Sequence, residues 1–147
     1  MSVLEIAANK KAFHNYELLE RLEAGLVLTG AEIKAVRKRT VSLPGSFARL
    51  VSATDSREPE VVVVNLHIGV SDDPTRTRKL LLNRVEINRL IGKVQQQGLT
   101  LVPVRLYLKR GLAKLEIALA KGRKQHDKRE RLKRKHRQRA LEREMNS

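Results

Sequence analysis

The sequence predicts a mainly β domain, an antiparallel sheet closed into a small barrel with helices at its ends or side, followed by a basic tail. Three observations predict it. About six runs carry the β-branched or alternating character of strands and are separated by turns rich in Gly, Pro and Asp. Two main helical patterns interrupt them, without the strict strand–helix alternation of a parallel sheet. The last segment, KGRKQHDKRERLKRKHRQRALEREMNS, has twelve Lys or Arg against four Asp or Glu and lacks a core-facing apolar stripe.

Taken in order, residues 1–12 read as a short arm ending in NKKA. The stretch HNYELLERLEAGLVLT (14–29) reads as two strand-like runs flanking a turn at Glu23-Ala24-Gly25, with the glycine supplying positive φ. TGAEIKAVRKR reads as a helix. Thr29 and Glu32 form a capping-box pattern, and Ile33 and Val36 make a small apolar stripe. Lys34, Arg37, Lys38 and Arg39 remain to face solvent or RNA. SLPG (42–45) is a turn, SFARLV a strand with Phe47 on one face, and SATDSREPE a polar loop containing Pro59. EVVVVNLHIGV (60–70) is the most β-rich run, too continuous for an edge strand with one whole face exposed. SDDPTRTR is a loop and KLLL a short strand. Asn83 then caps RVEINRLIGKVQQQ, with Glu86 three residues on, Ile87, Leu90, Ile91 and Val94 at helical spacing, and Gly98 closing the helix. TLVPVRLYLKRGLAKLEIALA holds two strands around a turn at Gly111, with Pro103 marking an edge position or a bulge.

This divides the chain into a body, residues 1–120, and a tail, residues 121–147. The net charge is +15, of which the tail carries +8. With aromatics at 3%, the core must rest on Leu, Val, Ile and Ala. A pI near 10.8 points to a polyanionic partner, nucleic acid first and an anionic membrane second. The membrane reading is the weaker, because the tail has no apolar face to insert. Leu132, Ala140, Leu141 and Met145 do not fall at helical spacing, so burial cannot offset the cost of ordering the tail alone. Its composition still permits a helix where a partner supplies negative charge.

Cysteine is absent, which excludes disulfides, thiolate zinc sites and cysteine nucleophiles. MSVLEIAANKK is not a secretory signal, and runs such as VVVV are too short to span a bilayer; a cytoplasmic location is expected. His14, His67, His126 and His136 show no metal-ligand spacing. Asp72-Asp73 offers a possible cation site, although a DDP sequence is more often a turn. TGAEIK is too short for a phosphate-binding loop, and no Ser–His–Asp set can be argued. Neither a cofactor nor an enzymatic activity is expected.

Four stretches then align with one family: NKKAFHNYELLERLEAGLVLTGAEIKAVR (9–37), SFARL (46–50), DPTRTRKLLLNRVEINRLIGKV (73–94) and GLTLVPVRLYLKRGLAKLEIALAKGRKQHDKR (98–129). The chain resembles the SmpB family, the SsrA-binding proteins of bacteria. AKGRKQHDKR, which ends a strand hairpin and opens the tail, is the most specific of these matches. The resemblance implies an oligonucleotide-binding-type β-barrel of about six strands with two to three helices. It implies binding to the tRNA-like domain of transfer-messenger RNA (tmRNA) and delivery, with elongation factor Tu acting through the aminoacylated RNA, to stalled 70S ribosomes. The tail is implied to be disordered when free and helical in the empty mRNA channel and decoding centre, against ribosomal RNA. A monomer is expected.

The resemblance also implies residue roles. RNA contact is implied for Asn9, Lys10, Lys11, Glu23, Lys34, Arg37, Lys79, Leu81, Lys114, Lys121, Arg123 and Lys124. For Asn9-Lys10-Lys11 the competing reading is a solvated arm; for Glu23, a plain turn residue; for Leu81, ordinary barrel packing; for Lys114, a solvated strand face. Gly122 is implied as a hinge, and His126, Asp127, Lys128 and Arg129 as the decoding-centre motif, against a bare charge run. Two departures stand out: GVSDD (69–73) is shorter than the family's usual loop, and the end of the tail is more basic. Two rival functions follow from the residues: a permanent, ribosomal-protein-like rRNA binder, and an RNA-processing enzyme using Asp72-Asp73 with a metal.

Overall fold

The computed structural model describes residues 3–52, 59–122 and 139. Along the chain lie β1 (Val3–Ala8), α1 (Lys10–Asn15), β2 (Tyr16–Leu26), α2 (Gly30–Arg37), β3 (Val41–Ser42), β4 (Phe47–Ser52) and β5 (Pro59–Val64). They are followed by β6 (His67–Ile68), β7 (Arg78–Leu81), α3 (Arg84–Gln97), β8 (Thr100–Lys109) and β9 (Leu112–Gly122). Six of the strands form a closed antiparallel ring in the order β8-β4-β5-β7-β2-β9, with β9 returning to β8. Closure leaves the ring itself without a free edge. β1 pairs with β8 outside the ring, and β3 and β6 make a separate two-stranded sheet. The expected mainly β barrel of about six strands is what the chain forms, with three helices around it among the described residues.

Local chemistry explains most of the elements. In α2 the Thr29 hydroxyl accepts from the Glu32 amide while Glu32 accepts from the Thr29 amide; Asn83 and Glu86 do the same for α3. α3 ends at Gly98 with φ 64°. Arg110 and Gly111, at φ 54° and 78°, make the two-residue turn between β8 and β9. Pro103 sits at a register shift in β8, the bulge its sequence position predicts. Inside the ring, Val61, Val63, Leu80, Leu106, Leu115 and Ile117 are packed together, and α3 closes one opening with the buried Leu90. On the outside, Ala12 of α1 packs on Val102, Val104, Ala118 and Ala120, small residues that let the helix lie close to the sheet.

Four expectations are corrected. The region 1–12 is not an arm, because it forms β1 and opens α1. Glu23-Ala24-Gly25 is not a turn, because β2 runs unbroken through it. Gly25 pairs at once with Lys114 of β9 and Leu81 of β7, and a Cβ there would lie 3.2 Å from that of Leu81. The glycine permits a close approach where β2 passes from one neighbour to the next. The run 60–70 breaks at Asn65, whose φ of 60° turns the chain out of β5 and into β6. Finally, Asn9 is buried, as described below. The loop 53–58 and most of the tail, including its expected disorder, lie outside the described residues.

An internal ion network ties the barrel to α2. Arg78 is 0% exposed; it donates to Glu32 through Nε, to the Leu66 carbonyl at 2.6 Å and to the Pro74 carbonyl at 3.1 Å. Glu32 also accepts from Arg76 Nη2 at 2.6 Å. Burial on its own would raise the Glu32 carboxyl, but the hydrogen bonds from Arg76, the Thr29 amide and Arg78 hold it down at about 2. A carboxyl depressed on folding stabilises the fold above its unfolded value of 4.5 and loses that contribution as pH falls toward 2. Acid titration followed by circular dichroism should therefore show stability falling by about 3 kcal/mol through this window, and Glu32→Gln should flatten the fall.

Candidate nucleic-acid interface

Alternation along β2 sends Leu22, Ala24 and Leu26 toward the interior and Arg21, Glu23 and Gly25 outward. On β7, Arg78 and Leu80 are buried while Lys79 and Leu81 face out. On β9, Ala113 and Leu115 point in and Lys114 points out. Because Gly25 pairs with both Lys114 and Leu81, two candidates far apart in sequence meet at one place on the barrel wall. There Gly25, Leu28, Ile33, Leu81, Leu112 and Lys114 line a concavity of about 260 Å³. Leu81 is 54% exposed, so ordinary packing does not account for it. The patch combines an apolar floor with a lysine, which suits an irregular RNA surface recognised by shape, stacking and backbone contact.

Glu23 lies two residues before Gly25 on the same face of β2, close enough to Lys114 to feel its charge. It accepts from the Tyr107 hydroxyl, and Lys109 Nζ lies 3.6 Å away. The Tyr107 hydrogen bond lowers its carboxyl most, burial opposes this, and Lys109 and Lys114 lower it further. Glu23 is thus an ionised acceptor rather than a plain turn residue.

Lys79 faces outward beside Leu81 and pairs with Glu60 at 3.2 Å, an exposed contact of small energetic weight. Lys34 and Arg37 are exposed on α2. Lys34 borders a larger groove of about 630 Å³ whose far side is the short loop Gly69–Asp73. At the other end of β2, Tyr16 pairs with Gly122 and Glu17 with Lys121, so both predicted junction residues lie within β9 rather than beyond it. α1 presents Lys10 and Lys11 outward near this end.

Asn9 departs from its expected role. It is 5% exposed, its Oδ1 accepts from the Ala12 amide at 3.3 Å, and its Nδ2 donates to the Pro103 carbonyl at 3.0 Å. Both ends of the amide are used inside the protein, so Asn9 anchors α1 to β8 and sets the direction of Lys10 and Lys11. Arg123, Lys124, His126, Asp127, Lys128 and Arg129 lie outside the described residues.

Sequence reasoning misses Tyr107 and Lys109. Tyr107 reads there as one more apolar strand residue, and its partner is 84 positions away. Among the described residues, no three His, Asp or Glu side chains converge on a possible metal position, and no helix is long and apolar enough to cross a membrane.

The match to known proteins covers barrel and tail together. The family model described as SmpB protein matches residues 6–147. The chain belongs to the SmpB family. An SsrA-binding protein of Geobacillus thermodenitrificans is 51% identical over 145 residues, covering 94% of this chain and 90% of the relative. The SsrA-binding protein of Nostoc punctiforme is 49% identical over 150 residues, covering 97% and 93%. A solved SmpB-type chain, described as "tmRNA-SmpB: a journey to the center of the bacterial ribosome", superposes with a TM-score of 0.63 at 44% identity, over 84% of this chain and 86% of that one. The SmpB fold is therefore common to this barrel and a structure of that work.

Proposed function

We propose that this protein is an RNA-binding adaptor of trans-translation. The barrel binds the tRNA-like domain of tmRNA, and residues 121–147 occupy the empty decoding centre and mRNA channel of a stalled 70S ribosome. Elongation factor Tu joins indirectly through the aminoacylated RNA. The protein acts as a cytoplasmic monomer and performs no bond chemistry itself. The observation that carries this reading is that the SmpB match runs from residue 6 to residue 147, across both the barrel and the basic tail. Its relatives are named for binding SsrA, and Leu81 and Lys114, meeting across Gly25 with Glu23 on the same face, offer a surface for RNA on the barrel.

The division of labour is tested by a titration at physiological salt. The full chain and a truncation ending at Gly122, where β9 ends, are compared on the tRNA-like domain and on an unrelated hairpin of equal length. Both proteins should prefer the tRNA-like RNA. The truncation should show a shallower salt dependence, by about 0.7–0.9 in log K per log salt for each phosphate that the tail no longer neutralises. A preference that vanishes with the tail would overturn the assignment of RNA recognition to the barrel.

A further inference from the structure

Strand register sets two acids against each other on the outer face. Glu23 of β2 stands directly opposite Glu116 of β9, and Glu116 directly opposite Arg105 of β8. Like charges in such positions destabilise a sheet. The side chains resolve the conflict by taking different partners. Glu116 receives Arg105 Nε at 3.1 Å and Nη2 at 2.7 Å on one oxygen, and Arg21 Nη1 at 3.3 Å on the other. Arg105 in turn lies over the Tyr107 ring, 5.3 Å from its centre. Glu23 is held by the hydroxyl of Tyr107, a residue only 4% exposed, and keeps its own side chain 39% exposed. The Tyr107 hydroxyl, with Lys109 and Lys114 nearby, outweighs that repulsion and holds the carboxylate ionised in one place. Its exposed side stays open to a partner.

We propose that Tyr107 is a positioning residue for RNA recognition, its hydroxyl fixing the Glu23 carboxylate as an acceptor near Lys114 and Lys109. This rests on the RNA-binding reading given above. An unrestrained glutamate on a strand loses side-chain freedom when it binds; one already held loses less. An ionised carboxylate accepts only, and its targets on RNA are the N–H groups of base edges and sugar hydroxyls. The groups that face it are Arg21 on its own strand, Glu116 and Lys114 on β9, Tyr107, Lys109 and Arg105 on β8, and Glu5, which pairs with Tyr107 from β1. Burial, and then the Glu23 contact, push the Tyr107 hydroxyl upward, so it remains a donor at any pH at which the RNA complex is studied.

The test uses the full chain with Tyr107→Phe, Glu23→Gln and the double change, titrated against the tRNA-like domain and an unrelated hairpin, with thermal midpoints measured in parallel. Each single change should weaken the tRNA-like complex about tenfold, the scale of one charge-assisted hydrogen bond. The double change should cost no more than Glu23→Gln, and hairpin binding should not move. A pH series from about 7 to 5 adds a readout that a structural tyrosine would leave alone. Without the hydroxyl the carboxyl loses its main lowering partner, so the acid fall of binding should begin at higher pH in Tyr107→Phe. Glu23→Asp keeps the charge but withdraws it from the hydroxyl; it should match Tyr107→Phe even if that change lowers the thermal midpoint. Wild-type affinity in Tyr107→Phe, with Glu23→Gln weakened, overturns the positioning role. A wild-type protein that fails to prefer the tRNA-like RNA overturns the functional reading, and the positioning role with it.

Discussion

Replacing Asp127, Lys128 and Arg129 together by alanine should abolish tagging of stalled chains while leaving specific binding to the tRNA-like RNA in place. The argument is energetic. Ordering a backbone costs about 1–2 kcal/mol per residue, and the tail has too few apolar side chains to recover that by burial. Twelve cations against four acids recover it only where phosphates are dense on several sides. A ribosomal channel empty of mRNA is such a place, and one filled by mRNA is closed to the tail. On the reading proposed above, the tail is a conditional element in which His126, Asp127, Lys128 and Arg129 meet the decoding centre. The measurement is a tagging reaction on ribosomes stalled on a message without a stop codon, run beside the RNA titration. Tagging that survives the triple change would contradict this mechanism, and loss of RNA binding would contradict the split between barrel and tail.

Arg78→Met should destabilise the protein by about 3–5 kcal/mol, lowering the thermal midpoint by about 10–20 °C. The guanidinium is fully enclosed and reaches Glu32 of α2 and the carbonyls of Leu66 and Pro74 together. Methionine fills much of the same volume, so the loss is not mainly a cavity. It comes from taking one of three donors from a buried carboxylate, which keeps Arg76 and the Thr29 amide, and the guanidinium donors from the Leu66 and Pro74 carbonyls. Adding Glu32→Gln to Arg78→Met should restore part of the loss, because the amide oxygen can still accept from the Thr29 amide and leaves no buried charge for the half-exposed Arg76 to offset alone. Thermal melts of the two variants decide this. Equal midpoints would place the cost in packing instead.

Much of the fold can be read where its cause is local. Both capping boxes, the Gly98 stop, the Arg110-Gly111 turn and the Pro103 bulge depend on residues a few positions apart, and each occurs where its residues predict it. What could not be read depends on distant partners. α1 is six residues long, too short for periodicity to register, and is held by an asparagine bonded to Pro103. Gly25 has two sequence meanings, turn or close approach, and only the placement of β7 and β9 decides between them. The site divides in the same way. Glu23, Leu81 and Lys114 can each be singled out by resemblance, but their placement on one face is a property of register, and Tyr107 joins them only through β8.

The ring closure has a consequence for how the protein is made. β2 pairs with β9 from Tyr16↔Gly122 to Gly25↔Lys114, so one of the first strands synthesised waits for the last of the body. Closing a loop of that length costs entropy before any pairing energy is recovered, which favours slow, all-or-none folding. Until β9 emerges, β2 has an unpaired edge, open to mispairing with other chains. Among the described residues, the ring is closed by pairings that end at Gly122. A translating ribosome therefore completes every described strand of the ring before it makes residues 123–147.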